Sequence, residues 1–304
     1  MSALPAPFRS FLAILALVVF AAGCTTAPPA DVLAVPAAPQ KYAAIVVDAR
    51  TGRQLFEVNS TAPRYPASLT KMMTLYLLFE ALDSGRVTKE TLIPVSAHAA
   101  SQPPTKLRFR PGETIDVDSA IRALTVKSAN DVAVAIGEYL GGSEEQFAAM
   151  MTAKARRIGM RNTVFRNASG LPDDGLVQHT TARDMAVLGM ALRQRFPQYY
   201  YYFSAKDFMF RGRLVKGHND MLGRVPGVDG IKTGYIRASG FNIVTSYSLN
   251  GRQIVVVVMG ADSARQRNAH AEALLRRALS ASPGDPRLVF ADQPTEPTES
   301  LPGL

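Results

Sequence analysis

Residues 65–82 read YPASLTKMMTLYLLFEAL. From Ser68 onward Leu69, Met72, Met73, Tyr76, Leu77 and Phe79 recur at helical spacing, and Gly85 stops the run after Leu82. The stretch is apolar nearly all round, which predicts a central helix covered on every side. Ser68 and Lys71 then share one face, one turn apart. A serine hydroxyl is a poor nucleophile until a base takes its proton. A lysine serves as that base only if burial or a neighbouring cation lowers its pKa. A buried helix supplies the first condition.

Strands frame this helix. Tyr42 to Asp48 is a β-rich apolar run, and Gln54 to Val58 follows a Thr51-Gly52 turn, so the two predict a hairpin. Near the other end, 228–233, 241–249 and 252–260 read as strands, with Asn250-Gly251 as a hairpin turn between the last two. Val255 to Met259 is continuously apolar, as in a strand covered on both faces. Residues 117–127, 130–140, 144–158, 181–195 and 263–280 read as helices. Strands from both ends thus flank a helical middle. The economical burial is an α+β fold: one antiparallel sheet built from N- and C-terminal strands, flanked by a helical subdomain.

Two more short motifs follow in order. Ser128-Ala129-Asn130 lies between two predicted helices. A loop there can aim a hydroxyl and an amide into a cleft, or Ser128 or Asn130 can simply cap the next helix. Lys232-Thr233-Gly234 lies in a predicted strand, with 232 and 234 facing one way and 233 the other. Glycine there lets a substrate backbone approach, while the plainer role of Lys232 is to guard an edge strand. If that strand runs beside the Ser68 helix, Lys232 is the second cation. Each motif alone is unspecific; the three in order, on helix, loop and strand, are far more specific.

With these motifs the chain resembles the low-molecular-mass penicillin-binding proteins, serine-type D-alanyl-D-alanine carboxypeptidases. The resemblance covers about residues 41–280 and extends to RYPASLTKMMT, SANDVAVAIGEYLGG, NTVFRNASGL, TARDMAVLG and VDGIKTGY. It implies a β-lactamase/transpeptidase-like fold, peptidoglycan stem peptides as substrate, β-lactams as covalent inhibitors and no cofactor or metal. It also implies roles. Ser68 is the acylated nucleophile, Lys71 the base, and Ser128 the proton relay to the leaving amine. Asn130 orients the substrate amide and Lys71. Lys232 binds substrate and holds the local positive field, Thr233 and Arg267 help hold the terminal carboxylate, and backbone N–H groups of Ser68 and Tyr235 form the oxyanion hole beside Gly234.

The chain departs from the family pattern at Ala129, where glycine is usual, and at Ile236, where a hydroxyl-bearing residue is common. Alternatives share the same residues. A class A-like β-lactamase needs a glutamate after the second motif, yet none occurs between Glu145 and Glu272, and Asp173 and Asp174 suit a turn before Gly175. A DD-endopeptidase cutting D-Ala–diaminopimelate crosslinks differs only on the leaving-group side. A non-enzymatic wall-binding lipoprotein would keep the fold alone.

The ends read differently from the body. Arg9, the apolar run Phe11 to Ala22 and the small residues before Gly23 form an export signal over residues 1–23. Cys24 follows as the only cysteine, which resembles a lipoprotein signal with Cys24 acylated; plain secretion is the alternative. Residues 24–40 form a Pro/Ala-rich tether, 41–281 a catalytic domain and 282–304 a proline-rich tail. These readings place the protein in the periplasm or cell envelope, held to the membrane through a lipid. Without further cysteines the body has no disulfides, no thiol nucleophile and no thiolate metal site. A net charge of +9 suits a polyanionic neighbour, but no dense basic block with interleaved aromatics suggests nucleic acid. No Gly-x-Ser-x-Gly elbow and no His-Glu-x-x-His occur, and His98, His179, His218 and His270 are dispersed.

Overall fold

A computed structural model describes residues 40–172 and 178–280. The expected signal, Cys24, the tether apart from Gln40, the tail, and the Asp173-Asp174 turn lie outside them. In chain order the elements are β1 (Ala43–Asp48), β2 (Gln54–Val58), α1 (Lys71–Asp83), β3 (Leu92–Pro94), α2 (Ala97–Ser101), β4 (Thr114–Asp116), α3 (Val117–Arg122), α4 (Asn130–Gly141) and α5 (Glu144–Arg157). They continue with α6 (Ala182–Arg195), β5 (Asp207–Phe210), β6 (Arg213–Lys216), β7 (Val228–Ile236), β8 (Gly240–Leu249), β9 (Arg252–Ala261) and α7 (Ala264–Ser280).

The main sheet has the order β2-β1-β9-β8-β7, and every pairing is antiparallel. The first and last thirds of the described chain therefore meet at the β1–β9 seam, as the sequence pattern predicts. Alternation then sorts the side chains. Ile45, Val47, Val255, Val257 and Met259 face the core shared with α1 and α6. Ala44, Val46, Val256 and Val258 face Ala271, Leu274 and Leu275 of α7. Each fully buried side chain of this size contributes about 1.5–3 kcal/mol, so the central strand carries a large share of the stability. Asn250 and Gly251 both have positive φ, the conformation a tight β8–β9 hairpin requires.

The predicted helix over Ser68–Leu82 is divided. Ala67–Thr70 forms a 3-10 turn and only then does α1 begin, with ten of its thirteen residues buried. Pro66 precedes the turn and Ala67 has φ 48°, which interrupts any regular helix entering from upstream. Residues 117–127 are also divided, into α3 and a wider π-type turn, Ala123–Lys127, that ends at Ser128. The pattern missed β3, β4, β5, β6 and α2, because three to five residues span too little of a period to register.

Candidate active site

Ser68 sits at the 3-10/α1 junction, half-buried, with Lys71 in the first turn of α1 and fully buried. Lys71 Nζ has three neighbours: Ser68 Oγ at 3.2 Å, Asn130 Oδ1 at 2.7 Å and the Ser169 carbonyl at 2.6 Å. This count has chemical content. A neutral amine has two N–H bonds and one lone pair. Given to Asn130 and Ser169, the two N–H groups leave the lone pair facing the Ser68 hydroxyl. Burial lowers the Lys71 pKa well below its ordinary value, and the Lys232 charge lowers it further, against the attraction of Asp131 and Glu144. Both conditions the sequence demanded are met.

Two glycines make the approach possible. A Cβ on Gly170 would lie 1.8 Å from the Ala67 carbonyl oxygen, and its φ is 86°. Its absence lets the 168–170 segment lie against the nucleophile turn and deliver the Ser169 carbonyl to Lys71. A Cβ on Gly234 would lie 3.1 Å from Ser68 N. Gly234 also lines the cleft, so the missing side chain keeps open the space beside the Ser68 turn.

Asn130 is the first residue of α4, and its amide nitrogen donates to the Pro103 carbonyl at 2.9 Å. That locks the amide so that its oxygen faces Lys71. Ser128 has φ 60°, a left-handed backbone, and its buried Oγ has no hydrogen-bond partner among the described residues. An unpaired buried hydroxyl costs about 1–3 kcal/mol, which marks a group held ready for a visiting partner. The capping alternative is overturned: Ala129 is the N-cap and no side chain caps α4. With φ −65° and ψ 120°, Ala129 has an ordinary backbone, so the missing glycine costs nothing.

β7 is an edge strand of the main sheet. Lys232 is buried and its Nζ donates to the Thr233 carbonyl at 2.9 Å. Arg267, in the first turn of α7, is buried and directs Nε and one terminal nitrogen to Asn268 Oδ1 at 3.0 and 2.8 Å. Ser68, Ser128, Asn130, Thr233, Gly234, Tyr235 and Arg267 line one open cleft of about 490 Å³. The sequence-predicted residues are therefore brought together, with Lys71 and Lys232 beneath the floor. Burial, then the Arg267 charge, pushes the Lys232 pKa down to about 7. Burial pushes Arg267 down to about 10, against the pull of Asp220.

A stability prediction follows. An unfolded lysine stays protonated to about pH 10.4. Between pH 7 and about 10 the unfolded chain therefore binds more protons at Lys232 than the folded chain does. The penalty is fully present below pH 7 and is relieved as pH rises. The urea midpoint is expected to climb from pH 7 to 9.5, and Lys232→Met to flatten the climb. A wild-type midpoint that falls steadily over this range would contradict the assignment.

The sequence pattern missed Ser169, which acts through its backbone carbonyl, and the Pro104-Thr105 wall of the cleft. It assigned no role to His218, which lines the cleft together with Asp220. Only the resemblance of NTVFRNASGL hinted at the first.

Residues 32–263 match the peptidase S11 family of D-alanyl-D-alanine carboxypeptidases. D-alanyl-D-alanine carboxypeptidase DacD of Escherichia coli is 36% identical over 239 residues, covering 76% of this chain and 61% of that protein. The chain spans less than two thirds of the length of that relative. Among solved structures, DacD from Francisella tularensis superposes with TM-score 0.74 at 31% identity, covering 78% of this chain and 70% of that one. Penicillin-binding protein D2 from Listeria monocytogenes, solved in its cefotaxime-bound form, superposes with TM-score 0.68 at 28% identity, covering 77% and 95%. The match spans the sheet, the buried Ser68–Lys71 helix and the edge strand that carries Lys232, and on it the chain belongs to the peptidase S11 family, the D-alanyl-D-alanine carboxypeptidase family.

Proposed function

We propose that this chain is a serine-type D-Ala-D-Ala carboxypeptidase that trims the terminal D-alanine from peptidoglycan stem peptides. The observation that carries this is the threefold environment of Lys71 Nζ, with Ser68 Oγ as its third neighbour. In the forward step Lys71 takes the Ser68 proton as Oγ attacks the carbonyl between the two D-alanines. The developing oxyanion is met by the N–H groups of Ser68 and Tyr235. The C–N bond breaks, the leaving amine receives its proton through Ser128, and an ester remains on Ser68. Water then cleaves the ester, releasing the shortened peptide and restoring the hydroxyl. Asn130 orients the substrate amide, and Thr233, Lys232 and Arg267 hold the terminal carboxylate.

A β-lactam offers a strained amide and a carboxylate in the same arrangement, so it acylates Ser68. No glutamate lies between Glu145 and Glu272 to hasten deacylation, which favours a persistent adduct over turnover. Residues 41–281 form the catalytic unit in this proposal, exported and tethered through a lipid on Cys24. The test is incubation of the purified protein with a stem pentapeptide and, separately, with a fluorescent penicillin. Stoichiometric release of D-alanine and one covalent label per chain are expected. No release and no label would overturn the proposal.

A further inference from the structure

Two Arg-x-Arg stretches, Arg108-Phe109-Arg110 and Arg211-Gly212-Arg213, lie far apart in the chain. The fold brings them together. The Phe109 and Phe210 ring centres are 5.7 Å apart. The Arg211 guanidinium lies 4.6 Å from the centre of the Phe109 ring and 5.2 Å from that of Phe210. Arg110, Arg211 and Arg213 are exposed, and Arg108 is half-buried. Among the described residues, Glu113 is the one carboxylate in ion-pair contact with these four arginines, and it meets Arg211 at 3.4 Å. Gathered like charges repel one another, and an anionic surface relieves that repulsion.

The second stretch is the tip of the β5–β6 hairpin. Arg211 and Gly212 turn the chain with φ values of 48° and 72°. Alternation gives the hairpin two faces. Phe208, Phe210 and Val215 pack against the core. Met209 and Leu214 oppose each other in register on the outer face and are 62% and 53% exposed. Asp207 and Lys216 oppose each other behind them, with charges that cancel. Arginines around a pair of bare apolar side chains have the composition of an interfacial segment. The apolar groups enter the headgroup layer, and the guanidinium groups bind its phosphates bidentately. A dissolved polyanion would leave Met209 and Leu214 in water.

We propose that the β5–β6 hairpin and the 108–110 segment form a docking surface for an anionic phospholipid bilayer. Both segments lead directly into the cleft: Pro104 and Thr105 precede the first, and Gly217 and His218 follow the second. Docking therefore holds the cleft beside the headgroups. This surface is separate from the anchor proposed at Cys24.

The test measures partition of the full chain, carrying Cys24→Ser so that no acyl group contributes. The vesicles are pure phosphatidylcholine, or phosphatidylcholine with about one third phosphatidylglycerol. Every protein compared keeps the same N-terminal segment, so differences in the anionic-to-neutral ratio report the surface. A cation near an anionic bilayer contributes about fivefold in affinity. Arg110→Gln/Arg211→Gln/Arg213→Gln is expected to lower the ratio at least about 30-fold. Met209→Ser/Leu214→Ser is expected to weaken binding to the anionic vesicles about tenfold. Arg213→Gln alone, with an expected loss of about fivefold, serves if the triple variant does not fold. An unchanged ratio in the arginine variant overturns the proposal. So does a loss in the arginine variant with none in the apolar variant, which would mean a dissolved polyanion as partner. A dimer in sedimentation velocity that Leu214→Ser dissolves also overturns it, because a second copy would then cover this face.

Discussion

Ser68→Ala is expected to abolish covalent labelling by penicillin and to cut D-alanine release at least about 10⁴-fold, which is about 5.5 kcal/mol of barrier. The variant removes one oxygen, whose contact is Lys71 Nζ at 3.2 Å. Little else depends on that atom. The turn is shaped by Pro66, by the positive φ of Ala67 and by the close approach of Gly170. The melting temperature should therefore stay within a few degrees of wild type, as for most half-buried substitutions outside special features. Loss of labelling with the fold retained separates a missing nucleophile from a collapsed site. Labelling that persists on the variant at the wild-type rate would mean that another group is acylated.

Lys71→Met is expected to slow acylation by about 10²- to 10⁴-fold, the usual reach of a positioned general base. Methionine keeps the length of the chain and suits the buried position, but it offers no base. Asn130 Oδ1 and the Ser169 carbonyl lose their donor, at about 1–3 kcal/mol for each buried acceptor left unpaired. The relief of a buried amine offsets part of that cost. The pH profile gives the sharper signature. In wild type, kcat/KM rises as Lys71 loses its proton through its lowered pKa. It falls again as Lys232, with a pKa near 7, loses the charge that draws the substrate carboxylate. In Lys71→Met the rising limb should become a shallow climb driven by hydroxide. Equal acylation rates in the two proteins would rule Lys71 out as the base.

The parts of the site legible in sequence are those where local periodicity fixes geometry. Ser68 and Lys71 are three residues apart, so any helical turn brings them to one face, and the 3-10 start of the real element preserves this. Val255–Met259 is apolar without interruption, and it is the strand covered on both faces. The short strand pairs β3–β4 and β5–β6 gave no such signal. Neither did the left-handed Ser128, because a non-glycine residue carries no mark of positive φ in its identity. Gly234 was legible as a need for space, but the nearness of Ser68 N, 3.1 Å from where its Cβ would lie, was not, because that neighbour comes from 166 residues earlier in the chain.

Sequence alone determined the α+β class, the seam between the first and last strands of the main sheet, the buried helix, and the placement of Ser68 and Lys71 one turn apart at its start. Those depend on hydrophobic period and on short spacings, which are local. Tertiary structure alone decided that Asn130 and the Ser169 carbonyl occupy the other two positions around Lys71 Nζ. It alone set the unpaired state of the Ser128 hydroxyl, the depth of Lys232, and the meeting of Phe109 with Phe210. Each of these depends on which distant backbones pack within a few ångströms of one another, and no spacing along the chain encodes that distance.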